Sequence, residues 1–238
     1  CCGISRNCKV VRPRVTPCLL VHKGGLVKTT RFAEPKYVGD PVNAVKIFNE
    51  KESDELMVLD IDATAEQREP NVRLISQLAV ECRMPLCYGG GITTVDQAKH
   101  IIGLGVEKVA ISAAAIDNPA LITGIAQAVG SQSVVVVIDV RESKHGYGVW
   151  THNGRRDTGK TLEQAAREAE QAGAGEVVVN SIDCDGVMKG YDLKLAARAR
   201  ATTRLPLTML GGAGSLGDVG QLIETCGAIH SKVSVEEM

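Results

Sequence analysis

Two octapeptides, "ELMVLDID" at residues 55–62 and "EVVVNSID" at residues 176–183, decide the fold. Each starts with a glutamate, continues with three or four apolar residues and ends in Ile-Asp, which is the pattern of a buried strand with a polar end. The two glutamates, Glu55 and Glu176, are 121 positions apart, and the closing aspartates have the same separation. A constant offset between matching segments indicates an internal repeat.

The next strand in each copy carries the same offset. "PLCYGGG" at residues 85–91 matches "PLTMLGG" at residues 206–212, again 121 positions later. Each copy is long enough for about four strand–helix units, and two copies make eight, the number that closes a (β/α)8 barrel. We therefore predict an α/β TIM barrel built from two duplicated half-barrels.

Apolar, strand-like runs alternate with helical segments along the whole chain, as in a parallel sheet covered by helices. Asp40 and Pro41 are typical of an N-cap and a first helical residue. No linker divides the chain, so we predict one domain over residues 1–238, with half-barrels at about 10–130 and 131–238. The predicted strands are 14–22, 55–62, 85–90, 108–112, 133–140, 176–183 and 205–212.

The C-terminal segment differs from the rest of the pattern. "AIHSKVSV" at residues 228–235 fits an eighth strand by its periodicity, and only three residues follow it. A barrel of this kind has a helix after its last strand. We expect the C-terminal βα unit to be incomplete, with lower stability than a complete barrel because apolar surface would be left uncovered.

Composition and charge exclude several classes of protein. The 238-residue chain is 44% hydrophobic but only 3% aromatic, which favours an aliphatic core. Its net charge of −1 offers no bulk attraction for nucleic acid or membrane. No apolar stretch reaches the roughly 18 residues of a membrane helix, and the first residues lack the apolar segment of a signal peptide. We expect a cytoplasmic protein.

The eight cysteines and five histidines do not have the spacing of metal ligands. No C-x-x-C pair occurs, and Cys18, Cys87 and Cys184 lie in or beside predicted strands. We interpret the cysteines as reduced thiols that act as small apolar residues. We expect neither a metal nor another cofactor.

Two glycine clusters follow matching strands. Gly90 and Gly91 end one strand, and Gly211 and Gly212 end its repeat. Glycine lets backbone N–H groups approach an anion closely, and the N-terminus of the next helix adds positive potential. Two such loops predict a substrate with a phosphate at each end. The alternative is a tight turn that needs glycine for its dihedral angles.

Nine short motifs point to a known family. They are "GDP" (39–41), "DELMVLDI" (54–61), "YGGGI" (88–92), "NPALI" (118–122), "GSQSVVVVID" (130–139), "GAGE" (173–176), "SIDCDG" (181–186), "GYD" (190–192) and "GGAG" (211–214). Together they resemble the cyclase subunit of imidazole glycerol phosphate synthase, the HisF family. The resemblance implies a lyase-type barrel with a HisH-like glutaminase partner. Ammonia from that partner passes through the barrel to a bisphosphorylated substrate at the opposite face.

The resemblance also implies roles for particular residues. Asp139 matches a catalytic aspartate, which could act as general acid or base; the alternative is a capping or loop-anchoring carboxylate. Lys28 matches a lysine of a mobile loop over the active site. Asp60 and Asp183 end strands, and ion-paired structural roles are at least as well favoured for them. The matching substrate- or phosphate-binding residues are Gly90, Gly91, Ser112, Asp185, Gly186, Gly211 and Gly212.

Four charged residues at strand starts match an ammonia gate of the family. Arg14, Glu55, Lys108 and Glu176 correspond to an Arg, Glu, Lys, Glu ring at the entrance of the barrel. Ordinary polar residues at strand starts are the alternative. Glu107 matches an acidic residue that faces the glutaminase.

Three positions depart from the family pattern. Leu20 stands where the family has a second catalytic aspartate, and leucine cannot move a proton. At the end of another strand, Ser112 and Ala113 replace the preferred Asn and Thr, and only the serine can still donate a hydrogen bond. If imidazole formation needs both aspartates, this chain should perform it poorly.

These departures resemble a side branch of the family. "CLL" at residues 18–20 and "NEKE" at residues 49–52 are typical of cyclase-like barrels that accompany surface-polysaccharide (lipopolysaccharide) genes. Our preferred interpretation is that this branch passes glutamine-derived ammonia through the barrel to an amidating enzyme that modifies a sugar. The alternatives are a histidine-pathway cyclase, a non-catalytic scaffold that activates a glutaminase, and a histidine-pathway sugar-phosphate isomerase.

Overall fold

The computed structural model describes residues 14–144, 146–226 and 231–235, the last segment as backbone only. These residues form twelve strands: β1 Arg14–His22, β2 Gly25–Thr30, β3 Ala33–Gly39, β4 Leu56–Asp60, β5 Leu86–Gly89, β6 Lys108–Ile111, β7 Val134–Ser143, β8 Gly146–Thr151, β9 Arg156–Thr161, β10 Glu176–Ser181, β11 Leu207–Leu210 and β12 Ser231–Val235. They also form eight α-helices: α1 Pro41–Glu50, α2 Val72–Glu81, α3 Val95–Gly103, α4 Ala113–Asp117, α5 Ala120–Val129, α6 Leu162–Gln171, α7 Leu193–Thr202 and α8 Leu216–Cys226.

Eight of the strands close into a parallel barrel. Their order around the ring is β1, β4, β5, β6, β7, β10, β11 and β12, and β12 pairs with β1 again. Every neighbouring pair is parallel, so the ring has no free edge. The predicted (β/α)8 barrel is confirmed, and so is the eighth strand, as far as Ser231–Val235 describes it. The expectation of an incomplete final unit concerns residues outside the described ranges.

The internal repeat holds for whole elements. Helix α6 begins and ends 121 positions after α1, and the same offset relates α2 to α7 and β5 to β11. Local signals explain the helix starts: the Asp40 side chain accepts a hydrogen bond from the Asn43 N–H at 2.9 Å, as predicted for an N-cap. Thr94 and Thr161, at the starts of α3 and α6, each form a capping box with a glutamine three residues later.

Two antiparallel hairpins interrupt the alternation, and the sequence pattern did not predict them. β1 continues into β2 and β3, and β7 continues into β8 and β9, each strand antiparallel to the one before. The segment around Lys28, predicted as a mobile loop, is the first of these hairpins, and Lys28 lies in β2 opposite Lys36. The outer strand β3 is almost entirely exposed, so it lacks the apolar alternation that reveals a strand in sequence.

The hydrophobic core has two layers. The larger layer packs the helices against the outside of the barrel. The smaller layer fills the barrel interior with apolar side chains from seven of the strands: Cys18, Met57, Cys87, Ala110, Val135, Val137, Val178 and Leu210. Filling of this kind is usual for an eight-stranded barrel. No helix within the described ranges is both long and apolar enough to cross a membrane.

Candidate active site

A cavity of about 500 Å³ opens at the carboxyl ends of the barrel strands. Its lining includes the apolar side chains of Leu20, Leu59 and Val137 and the polar side chains of Asp139 and Asn180. In barrels of this type the carboxyl-end face holds the active site, because the strand-to-helix loops converge there. The size also suits a small-molecule site.

Asp139 is the carboxylate in this lining whose acidity is most perturbed. The pKa of Asp139 is raised to about 7, chiefly by burial, while the hydrogen bond from Asn180 acts to lower it and the charge of Asp185 acts to raise it. The Asn180 amide Nδ2 donates to Asp139 Oδ1 over 3.2 Å. A carboxyl group that titrates near neutral pH can both give and take a proton, which suits a general acid or base.

Leu20 occupies the place of Asp139 in the other half-barrel. In the parallel register Leu20 lies opposite Leu59, and Asp139 lies opposite Asn180. Leu59 and Asn180 are related by the 121-residue repeat. The cavity therefore has one polar rim, Asp139 with Asn180, and one apolar rim, Leu20 with Leu59.

The first glycine loop lines the cavity together with Ser112 and Ala113. Gly90 and Gly91 have φ values of +120° and +74°, which disfavour other residues. A Cβ at residue 90 would collide with the Asp60 carbonyl oxygen, and one at residue 91 would lie 2.5 Å from that of Arg68. Close packing of the backbone thus requires glycine at both positions, whether or not an anion binds there.

The second glycine loop has the same backbone shape but does not line this cavity. Gly211 and Gly212 have φ values of +88° and +105°. A Cβ at residue 211 would lie 2.9 Å from the Ser181 carbonyl oxygen, and one at residue 212 would collide with the Gly190 carbonyl. Among the described residues, only the first of the two predicted phosphate loops lines the cavity, although both follow the same repeat.

Asp185 anchors the first hairpin. Its carboxylate is fully buried and accepts hydrogen bonds from Thr29 Oγ1 at 2.8 Å and from the Phe32 N–H at 2.9 Å. Neighbouring Gly186 is packed against the Thr29 carbonyl with no room for a Cβ. Because a buried carboxylate repels a phosphate, this geometry does not fit the phosphate-binding role that the resemblance implied for Asp185.

The tips of the two hairpins cover the cavity. Phe32 from the first hairpin and His152 and Asn153 from the second line it, and all three have positive φ. Asn153 Nδ2 donates to the Ile61 carbonyl over 2.9 Å, which ties the second hairpin to the loop after β4. A Cβ at Gly154 would lie 3.4 Å from the Phe32 ring, so the tips of the two hairpins lie close together.

Positive charge is scarce around the cavity. Arg68 is the only lysine or arginine that lines it among the described residues, and Lys28 does not. The Arg68 guanidinium lies 3.3 Å from Asp60 and 2.6 Å from Glu66, so most of its charge is already paired. An anionic ligand would depend mainly on backbone N–H groups and on the N-terminus of α3.

A buried ion-pair cluster lies at the opposite, amino-end face of the barrel. Lys108 Nζ lies 2.6 Å from Glu55 Oε1 and 3.0 Å from Glu176 Oε2. Thr208 Oγ1 donates to the other oxygen of Glu176 at 2.7 Å. Arg14 starts β1 with an exposed side chain and makes no ion pair with these groups in the described structure. The structure thus brings three of the four predicted gate residues together.

Comparison with known proteins assigns the family. A profile of the family described as histidine biosynthesis protein matches residues 14–233. This chain belongs to that family. A Leptospira borgpetersenii protein provisionally named imidazole glycerol phosphate synthase subunit HisF is 51% identical, over 92% of this chain and 87% of its own length. A Pseudomonas aeruginosa protein provisionally named subunit hisF2 is 52% identical over 91% and 87%, and HisF of Exiguobacterium sibiricum is 39% identical over 89% and 85%.

Other charged residues of this HisF-like barrel have structural contacts. Asp60 accepts hydrogen bonds from the N–H groups of Asp62 and Ala63, at 3.1 and 3.2 Å, beside its pairing with Arg68. Asp183 accepts from the Glu142 N–H at 2.9 Å and so holds the second hairpin. Glu107 is exposed beside Lys108 at the amino-end face.

Sequence reasoning missed two residues of the HisF-like site. Asn180 was overlooked because it lies inside an apparently apolar strand, although a polar residue at the repeat position of Leu59 was a usable signal. Thr208 was overlooked because its partner Glu176 lies 32 positions away, on the neighbouring strand. The hydrophobic pattern of the sequence gave no sign that the hairpin tips cover the cavity, since this depends on contacts between loops.

Proposed function

We propose that this HisF-like chain is the ammonia-accepting barrel subunit of a glutamine amidotransferase. The observation that carries the proposal is the placement of two features on one barrel. The buried Lys108 cluster lies at the amino-end face, and the Asp139 cavity lies at the carboxyl-end face. Ammonia would enter past the cluster and react in the cavity.

The barrel interior between these two features supports transfer of an uncharged molecule. Its side chains are apolar and almost completely buried, with exposures of 2% or less for Cys18, Met57 and Cys87. An isolated ammonium ion in such surroundings would carry a large desolvation cost, whereas neutral ammonia would not. Because the interior is filled, passage requires side chains to move, and the unbranched Met57 is suited to that.

A glutaminase would dock on the amino-end face. Arg14 and Glu107 are exposed there, next to the buried cluster, and offer charges of both signs to a partner. The resemblance implies a HisH-like glutaminase that releases ammonia at this face. Binding would place the source of ammonia directly above Lys108.

We further propose sugar amidation for surface-polysaccharide synthesis as the use of the ammonia. The support is the apolar rim, since neither Leu20 nor Leu59 can move a proton or stabilise a cation. Imidazole formation would be left with Asp139 as its only rim carboxylate of the two that the family uses. Addition of ammonia to a single electrophilic carbon needs fewer catalytic groups, because one general acid or base is enough.

The first glycine loop suits an acceptor with a phosphate group at one end. Gly90, Gly91 and Ser112 line the cavity in the loops that precede α3 and α4, and glycine lets backbone N–H groups approach an anion closely. Gly211, Gly212 and Gly186 lie outside the cavity. Among the described residues, the cavity therefore offers one glycine loop to a phosphate group.

Histidine-pathway cyclase activity is the second candidate, favoured by the identity of 39% to HisF of Exiguobacterium sibiricum. An assay with the bisphosphorylated imidazole precursor and ammonium chloride separates the two. We expect no turnover above background, and robust turnover would overturn the sugar-amidation assignment.

Stimulation of a HisH-like glutaminase tests the parent proposal. We expect the purified chain to bind the glutaminase and to raise its rate of glutamine hydrolysis, and the isolated glutaminase serves as the control. Unchanged hydrolysis at saturating chain would contradict an amidotransferase role. Stimulation without transfer of ammonia to any sugar phosphate, and no effect of Asp139→Asn, would instead favour a non-catalytic scaffold.

A further inference from the structure

Two side chains that line the cavity, among the residues described, are able to carry a positive charge: Arg68 and His152. The Arg68 guanidinium lies 3.3 Å from Asp60 and 2.6 Å from Glu66, so its charge is already paired. The half-buried His152 has no such partner. Its ring Nδ1 lies 3.1 Å from Oγ1 of the preceding Thr151, and its Nε2 makes no hydrogen bond within the described structure. His152 is therefore the group from which a bound anion could still gain a positive charge.

The second hairpin, which carries His152 near its tip, is tied to two other parts of the barrel. The contacts join Asn153 Nδ2 to the Ile61 carbonyl at 2.9 Å, Arg156 Nη1 to Asp117 at 3.1 Å, and Lys160 Nζ to the Ile116 carbonyl at 2.9 Å. His152 and Asn153 have φ values of +54° and +56°, a strained backbone that persists only where the surroundings enforce it. Because the hairpin is attached both at its tip and along its outer strand, the imidazole is positioned before a ligand binds.

The same contacts place His152 beside the first glycine loop. Asn153 donates to the Ile61 carbonyl, and the carbonyl of the preceding Asp60 packs against Gly90, where a Cβ would lie 2.4 Å from that oxygen. The hairpin tip, the end of β4 and the glycine loop are therefore consecutive parts of the cavity lining. His152 and Gly90 both belong to that lining. A ligand group held at the glycine loop thus lies on the side of the cavity that the imidazole occupies.

The charged residues around His152 leave its ring without an ion pair in the described part of the chain. Those on the two hairpins are Arg31, Arg141, Arg155, Arg156 and Asp157. Those that line the cavity on the elements packed against the second hairpin are Asp60, Arg68, Glu69, Asp117 and Asp139. Asp60 and Asp117 each pair with an arginine, and Asp139 accepts a hydrogen bond from Asn180. No carboxylate therefore competes at close range with an anionic ligand for the imidazole.

We propose that His152 is a ligand-binding residue, which contacts the phosphate group of the acceptor at the first glycine loop and gives it the positive charge that the cavity otherwise lacks. A protonated imidazole has two N–H donors. With Nδ1 directed at Thr151, the Nε2 N–H remains for a phosphate oxygen, in a charge-assisted hydrogen bond. The inference rests on the proposed function for the nature of the ligand, and on the contacts of the hairpin for the site.

Binding of sulfate to the full chain at two pH values tests the assignment. Sulfate stays a dianion across the range in which histidine side chains lose their charge, at about pH 6.5. The titration would be followed at constant ionic strength by NMR, through the ring signals of isotope-labelled histidine. We expect saturable binding at about pH 5.5 that shifts the His152 signals, and binding about tenfold weaker at about pH 8. An absence of saturation at the lower pH, or an affinity that does not change with pH, would overturn the assignment.

Two histidine variants locate the effect. His152→Gln keeps an N–H donor but never carries a charge, so we expect about tenfold weaker sulfate binding than in the natural chain at about pH 5.5 and little difference at about pH 8. His100→Gln is the matched control, because His100 is exposed near the end of α3 and does not line the cavity. It should keep both the affinity and its dependence on pH.

Persistence of the pH dependence in His152→Gln would overturn the proposal, since another group would then supply the charge. If His152→Gln does not fold, the ring signals of the natural chain decide alone. Sulfate must shift the signals of His152 and leave those of His100 in place, and the His100→Gln spectrum identifies the latter.

The glutaminase assay keeps this inference separate from the proposed function. Stimulation of a HisH-like glutaminase together with pH-independent sulfate binding would overturn the role of His152 and leave the amidotransferase role standing. Sulfate binding that depends on His152, without stimulation of the glutaminase, would support the anion contact and contradict the proposed function.

Discussion

The two half-barrels share a backbone but differ in chemistry at one pair of positions. Most helices and strands recur at an offset of 121 residues, yet the strand register places Asp139 and Asn180 in the second half where Leu20 and Leu59 lie in the first. Packing of strands and helices requires only the apolar pattern, so the backbone repeat survives such changes. The rim side chains line the cavity, and Leu20 and Leu59 also pack against the apolar layer inside the barrel.

Asp62 and Asp183, which are related by the repeat, are the same residue in both halves because each holds a hairpin in place. Asp62 accepts hydrogen bonds from His22 and from the Lys23 N–H, at 2.7 and 2.8 Å, and so holds the first hairpin. Asp183, its repeat partner, accepts from the Glu142 N–H and holds the second. The halves therefore differ at the rim but are alike at the hairpin anchors Asp62 and Asp183, which follow the strand ends.

Substitution in the ion-pair cluster should change the free energy of unfolding most. Glu55 and Glu176 occupy equivalent positions in the two halves, and both buried carboxylates pair with Lys108. Lys108→Met removes the cation between two buried carboxylates, and we expect a loss of about 3–5 kcal/mol in the free energy of unfolding at pH 7. Urea denaturation measures it. Combining Lys108→Met with Glu55→Gln and Glu176→Gln should recover part of the loss; a loss below about 1 kcal/mol in the single variant would contradict a buried pair.

Making the first half resemble the second should destabilise the protein less than the Lys108→Met substitution does. Leu20→Asp places a carboxyl group beside Leu59, which offers no hydrogen bond, and we expect a destabilisation of about 2–3 kcal/mol at pH 7. The double variant Leu20→Asp with Leu59→Asn rebuilds the pair seen at Asp139 and Asn180, and it should be more stable than the single variant. Thermal unfolding of both variants checks this, and equal stabilities would show that the rim pairs are independent.

Making the second half less acidic should raise stability at alkaline pH. The folded state raises the pKa of Asp139 to about 7, so folding favours the protonated form. Stability is lost as the pH rises from the usual carboxyl pKa near 4 towards 7. We therefore expect Asp139→Asn to be more stable than the natural chain by about 1–2 kcal/mol at pH 8 and equally stable at pH 4. The gain is no larger because solvent screens the charge of a half-buried group. If the gain in the free energy of unfolding did not depend on pH, the raised pKa of Asp139 could not be its cause.

Substitution of Asp62 or Asp183, which hold the two hairpins, should change the free energy of unfolding least. Burial acts to raise the pKa of Asp62, but hydrogen bonds from Lys23 and His22 outweigh it, so the pKa is lowered. Asp62→Asn should then lose about 1 kcal/mol at pH 7 and nothing once the pH falls below the lowered pKa, where the natural carboxyl is protonated too. Chemical denaturation at several pH values measures the difference. Asp183→Asn is the matched control, and it should lose less because that side chain is 45% exposed.

The sequence by itself determined the barrel and its duplication. The offset of 121 residues, the apolar strand runs and the Asp40 cap all depend on neighbours within a few positions or on simple periodicity, and the structure follows them. The family resemblance also singled out Asp139 and the charged residues at strand starts, three of which form the ion-pair cluster.

Only the tertiary structure decided how distant loops meet. Arg14 stays outside the ion-pair cluster, Asp185 holds a hairpin 153 positions earlier in the chain, and Asn180 completes the rim with Asp139. These contacts join segments from different strands and different halves. Hydrophobic periodicity reports which face of an element is buried, but it carries no information on which polar groups will lie within 3 Å of one another after the barrel closes.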